Sequence, residues 1–177
     1  MSDDTEAGLP DTCPVPFLLG QDVRVALDIP FELEFDEMAE AGTVPAAAHE
    51  ALARFSALSA DLRQDLEPLL YAYARDEEGK GIAPGATPLR EASEVWSQVG
   101  TARSLMLIPE TPEGPWYAAL TCDVAWEPEH QLQMSFKDGD ELTRVGPGDL
   151  HHAHPADADG RAPSFVGADP AWTTYAA

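Results

Sequence analysis

Lysine is nearly missing from this chain. Lys80 and Lys137 are the only two, and the basic residues number 10 in all against 32 aspartates and glutamates, a formal net charge of -22 at pH 7. Such a surface repels phosphate backbones and anionic lipid headgroups, so nucleic-acid binding and docking on an anionic membrane are not expected. It attracts and steers a basic protein instead, or serves solubility alone; both readings stay open. Cysteine is scarce as well. Cys13 and Cys122 stand far apart with no Cys-x-x-Cys partner, which removes zinc-finger and thioredoxin-type chemistry. No apolar run reaches the roughly 18 residues of a membrane-spanning helix. The acidic start, Met-Ser-Asp-Asp-Thr-Glu-Ala, lacks the basic region and apolar stretch of a secretory signal. The expectation is a cytoplasmic protein with free thiols, Cys13 exposed in a tail and Cys122 a small buried hydrophobe. Internal repeats are absent.

What is present suffices for one domain. A chain of 177 residues with 44% hydrophobic content buries roughly 70% of its unfolded surface on folding. Residues 1–14, rich in Asp, Glu, Gly and Pro, read as a disordered tail. Val23, Val25 and Leu27 alternate with polar neighbours and mark a half-buried strand. Phe31, Leu33 and Phe35 alternate with Glu32, Glu34 and Asp36 in a second strand, with a bulge or bend at Pro30. Helical signals follow. Thr43 as cap and Pro45 in the first turn lead into residues 46–58, with Ala48, Leu52 and Phe55 on one stripe. Ser59 caps a second helix carrying Leu62, Leu66, Leu69, Leu70 and Tyr73, which Pro68 is expected to kink or divide. Residues 76–88 read as a loop, and Thr87-Pro88 opens a short helix through Val99.

The remainder is an antiparallel meander. Strands are expected at 103–108, 116–124 and 131–136, then a tight turn at Lys137-Asp138-Gly139-Asp140 and a return strand through Leu142 and Val145. On the second of these strands Trp116, Ala118, Leu120 and Cys122 share one face, and Tyr117, Ala119 and Thr121 the other. The fold class is therefore α+β: an antiparallel sheet of about five to six strands with helices packed on one face, spanning residues 15–150. Residues 151–177, rich in Ala, Asp, Pro and Gly, read as loop and C-terminal tail.

The residues able to do chemistry cluster around the loop Trp126-Glu127-Pro128-Glu129-His130, with Asp123 just before it. Glu127 and Glu129 flank a proline that fixes φ, so both carboxylates can be held at little entropic cost. One can act as a general base, or Glu129 and His130 can supply metal ligands. No Ser or Cys has an adjacent base at a recognisable spacing, so a nucleophile is missing. Alternatively, Glu129 and His130 fix the connection between strands while Trp126 plugs the core, or the loop contacts a partner. Further on, His151, His152 and His154 beside Asp149 offer imidazoles for zinc or another divalent metal, or are surface histidines.

This loop, followed by an apolar strand, an Asp-Gly turn and a Leu-x-x-Val strand, resembles a bacterial domain of unknown function. The pattern of that domain runs roughly Cys-Asp-Trp-Glu-x-Glu-His-Gly-Leu, and the similarity covers residues 96–151. Gln131 stands where the pattern has Gly, Val124 stands where it has Cys, and Asp149-Leu150-His151 replaces an Asp-Gly-His-like segment. The resemblance implies an immunity-type protein of a polymorphic toxin system.

The leading expectation is thus a non-enzymatic interaction protein, an acidic immunity-type protein neutralising a basic partner such as a toxin, with no cofactor. A metal-dependent hydrolase using Glu129, His130 and the histidines 151, 152 and 154 is the first alternative. A structural or regulatory domain is the second.

Overall fold

A computed structural model describes residues 8–28, 44–110 and 114–148. The strand expected at Phe31, Leu33 and Phe35, the Thr43 cap, the histidines at 151, 152 and 154 and the C-terminal tail lie outside these residues. Six strands form one sheet whose spatial order equals their chain order. They are β1 (Thr12–Pro14), β2 (Asp22–Leu27), β3 (Val99–Pro109), β4 (Trp116–Val124), β5 (Leu132–Lys137) and β6 (Glu141–Pro147). Between β2 and β3 come helices α1 (Ala46–Ser56) and α2 (Leu62–Lys80) and a 3₁₀ helix (Ala92–Ser97). The class is α+β. One feature departs from an all-antiparallel sheet: β2 pairs with β3 in parallel, Arg24 opposite Ser104 through Leu27 opposite Leu107. A parallel pair needs a long crossover, and the helical segment supplies it.

Thr12–Pro14, expected within a disordered tail, is an edge strand antiparallel to β2. Cys13 is buried, and Val15 and Phe17 follow it inward at a period of two. Three residues ending in proline are too short a run to register as a strand. The Val15 N–H donates to the Gln21 carbonyl at 3.0 Å and closes the connection. Gln21 then bridges an irregularity in β3. Its amide donates to the Gly100 carbonyl (3.2 Å) and accepts from the Ala102 N–H (2.8 Å).

Helix α1 is preceded by Pro45 with no side-chain cap, and buries Ala48, Ala51, Leu52 and Phe55. Phe55 meets Phe17 and Phe136 ring to ring, with centroids 6.3 and 5.5 Å away. The Ser59 hydroxyl accepts the Asp61 N–H just ahead of α2. Helix α2 runs undivided through Pro68 and buries Leu66, Leu70, Tyr73 and Ala74. It also continues to Lys80, where the composition suggested a loop from Asp76. Its last turn is laced by Lys80 with Asp76 (3.0 Å) and Glu77 (2.8 Å), and by Arg75 with Glu78 (2.5 Å). Such pairs three and four residues apart offset the low propensity of Gly79. The helix expected over 87–99 contracts to six residues of 3₁₀ preceded by Glu91. Its Trp96 donates its indole N–H to Glu67 (3.1 Å) and lies under the Arg63 guanidinium.

Strand β4 spans the expected residues. Trp116, Ala118, Leu120 and Cys122 join one core cluster with Leu132, Met134 and Phe136 of β5 and the buried residues of both helices. The β5–β6 turn has positive φ at Asp138 (50°) and Gly139 (89°), as an Asp-Gly hairpin requires. Gly139 is also pressed against α1. A Cβ there would sit 1.9 Å from the Ala51 carbonyl oxygen.

Candidate functional site

The β4–β5 connection is built from short-range hydrogen bonds. Strand β4 ends at Val124, and Trp126 turns inward, 3% exposed, its ring edge-on to Tyr73 of α2 with centroids 6.0 Å apart. Its indole N–H has no hydrogen-bond acceptor among the described residues. Glu127 then organises the turn. Its Oε1 accepts the backbone N–H groups of Glu129 (3.3 Å) and His130 (3.2 Å) and lies 3.1 Å from His130 Nδ1. Its own carbonyl accepts the Gln131 N–H at 3.1 Å. Partial burial alone would raise the Glu127 carboxyl. The backbone and ring of His130 and the Glu129 N–H outweigh that effect and hold the group below its ordinary value.

Two further pins fix the exit from the loop. Gln131 has φ +65°, a region that costs an L-residue roughly 1–2 kcal/mol. The Gly148 N–H, just past β6, donates to the His130 carbonyl at 2.9 Å. A Cβ on Gly148 would lie 2.6 Å from that oxygen, so the close approach needs glycine.

Asp123, in the last turn of β4, carries a different load. It accepts Arg103 Nε at 2.8 Å, pairs with Arg103 Nη2 through its other oxygen, and takes a 3.4 Å contact from the Gln131 amide. Its carboxylate is thus engaged in tying β3, β4 and the loop together. Cys122, its neighbour, is completely buried. Burial, then the Asp123 charge, pushes the thiol up to about 12, leaving no thiolate to act as nucleophile.

The loop therefore divides its acidic residues by role. Glu127 is turned inward as an acceptor for its own turn, and Glu129 stands exposed with no hydrogen bond or ion pair to its carboxylate among the described residues. Pro128 is exposed beside it, and the His130 side chain is 58% exposed. A carboxylate only accepts, so His130 donates Nδ1–H to Glu127, which holds the exposed ring in place. The loop can offer an exposed carboxylate and an imidazole held by Glu127 to whatever approaches. Among the described residues no group of three or more His, Cys, Asp or Glu is placed to hold a metal. Among the described residues, one surface cleft of about 560 Å³ lies beside Leu89, Arg90, Glu94 and Gln98, and another of about 190 Å³ between α1 and Asp138.

Of the residues singled out in the sequence, Glu127 and His130 meet, Trp126 packs in the core on Tyr73, Asp123 pairs with Arg103, and Glu129 stands exposed. Sequence reasoning misses Arg103, Gln131 and Gly148. Arg103 sits 20 positions from Asp123, and no spacing rule links them. Gly148 left a signal, the glycine pair around Pro147.

No curated protein and no solved structure matches the chain. A family model does, over residues 5–152, well beyond the span of the loop's resemblance. With that match covering most of its length, the chain belongs to the family described as domain of unknown function DUF6985.

Proposed function

We propose that this protein is a non-enzymatic, immunity-type interaction protein of the bacterial cytoplasm, which binds and neutralises a basic partner protein such as a toxin. The observation that carries the reading is the combination of a -22 charge with a loop whose geometry is fixed before any partner arrives. Glu127, Gln131 and Gly148 pin the turn from within, so the backbone of Pro128, Glu129 and His130 is presented at reduced ordering cost on binding. The charge steers a basic protein to the surface, and the exposed Glu129 carboxylate is suited to a Lys or Arg of that partner.

The test is direct binding of the purified chain to basic proteins encoded beside its gene. The expected result is one tight complex whose affinity falls steeply as salt rises, and a Glu129→Lys variant, unchanged in melting temperature, that binds at least tenfold more weakly. Absence of binding to every neighbour-encoded protein overturns the reading. A metal-dependent hydrolase using Glu129, His130 and histidines 151, 152 and 154 is the second reading, favoured only by the exposed His130 ring that Glu127 holds through Nδ1. Hydrolysis that is lost on chelation and restored by zinc would select it.

A further inference from the structure

The cleft beside Leu89, Arg90, Glu94 and Gln98 measures about 560 Å³, within the range that small-molecule sites occupy. One wall is the irregular chain before the 3₁₀ helix, and side chains from other parts of the fold hold it. Glu78 of α2 accepts the Leu89 N–H at 2.8 Å, and the Tyr71 hydroxyl donates to the Arg90 carbonyl at 3.3 Å. Glu94 accepts the Arg90 N–H at 2.8 Å. The wall therefore keeps one shape before any ligand arrives.

The charges in this cleft are left unspent. Among the described residues Arg75, Lys80 and Arg103 pair with carboxylates, and Arg63 lies over Trp96. The exposed Arg90 guanidinium makes neither an ion pair nor a hydrogen bond among these residues, in a chain with 32 acidic side chains. Its acidic neighbours in sequence are engaged elsewhere: Glu91 accepts the Ser93 hydroxyl, and Glu94 Oε2 the Arg90 backbone. Glu94 Oε1 is left without a partner among the described residues. Gln98 donates its amide to the Thr87 carbonyl, yet its Oε1 is buried with no donor. Buried acceptors of that kind are rare and call for a bound molecule or water to complete them. The cleft thus carries one cation, one anion and an unmet acceptor beside apolar atoms of Pro88 and Leu89.

We infer that this cleft binds a free α-amino acid with an apolar side chain, taken up as the zwitterion. The ligand carboxylate pairs with the Arg90 guanidinium. Its ammonium group donates to the open oxygen of Glu94 and, with a small turn of the Gln98 side chain, to Gln98 Oε1. The apolar side chain lies along Pro88 and Leu89. A simple anion is repelled by Glu94 and by the net charge of -22, and a simple cation by Arg90. A zwitterion meets neither penalty.

The experiment is isothermal titration calorimetry of the full chain with L-leucine, L-methionine and L-phenylalanine. Each is compared with the carboxylate that lacks its ammonium group and with the amine that lacks its carboxylate. The expected result is saturable one-to-one binding of at least one amino acid, with both of its fragments at least tenfold weaker. Arg90→Gln and Glu94→Gln should each weaken that binding at least tenfold. Arg90→Gln removes a guanidinium that touches no partner, and Glu94→Gln keeps an acceptor for the Arg90 N–H, so both variants should fold, as circular dichroism checks. Absence of saturable binding by all three amino acids overturns the inference. Fragments that bind as well as the amino acid, or full affinity in either variant, overturn it equally. The cleft shares no residue with the β4–β5 loop, so the salt-dependent assay of the protein partner is decided separately.

Discussion

Glu127 contributes to stability through the hydrogen bonds its carboxylate accepts from the residues that follow it. Replacing it with Gln keeps the shape but exchanges a charged acceptor for a neutral one, at an expected cost of about 1–2 kcal/mol. Urea denaturation should show a lower midpoint with an unchanged slope. The pH dependence has a defined sign. Glu127 in the folded protein titrates below its ordinary value, so the unfolded chain binds its proton first. Its contribution is present above about pH 4.5, the ordinary value, and is lost as pH falls through the folded value. The stability gap between the unaltered protein and Glu127→Gln should therefore be full at neutral pH and shrink below that point. A gap that stays constant down to pH 3 would mean the carboxylate's charge is not what holds the turn. Gln131 offers a second reading of the same turn. At φ +65°, Gln131→Gly should leave stability unchanged or raise it by up to about 1 kcal/mol, while the β-branched Gln131→Val should lower it by about 1–2 kcal/mol. Thermal melts of the two variants should move in opposite directions or differ by at least the sum of these effects.

At the scale of elements, the hairpin tip and α1 are joined by a contact that only glycine allows. Gly139→Ala places a methyl group on the Ala51 carbonyl and an L-residue at φ 89°. A loss of about 3 kcal/mol is expected in chemical denaturation. Ala at the neighbouring exposed Asp140 should cost less than about 0.5 kcal/mol. The Asp-Gly signal announced the turn, but not this contact, because Ala51, 88 positions earlier, supplies the carbonyl. The same division holds across the fold. Period-two patterns located β2, β4 and β5, and the 3.6 period located the buried stripe of α1, since both patterns are imposed by burial on one side. The extent of α2 was not legible, because ion pairs among Arg75, Asp76, Glu77, Glu78 and Lys80 carry the helix through residues that composition assigns to a loop. In the site, residue types showed where chemistry gathers but not which glutamate turns inward. That choice depends on the backbone N–H groups of residues 129 and 130 and on a glycine arriving from beyond β6.

For the whole molecule, charge sets the response to solvent. With 32 acidic and 10 basic residues, the folded chain repels itself at low ionic strength. Raising salt from about 0.01 to 0.15 M shortens the Debye length from about 30 to 8 Å. The melting temperature should rise by about 2–4 °C, corresponding to about 1 kcal/mol for a domain of this size. Sodium and potassium chloride should act alike, and a fall in melting temperature with salt would show that attractive pairs outweigh the repulsion. The parallel seam between β2 and β3 has a consequence of another kind. Every other pairing in the sheet joins strands linked by a short connection, whereas Arg24 meets Ser104, 80 positions further along the chain. Closing so large a loop is the slow, entropically costly step in assembling this topology. The β3–β6 meander can form from local contacts, so the β1–β2 hairpin is the piece that arrives last. It is also the piece by which a nascent chain could pair with the wrong copy, exchanging its first two strands with a neighbour's before its own seam has closed.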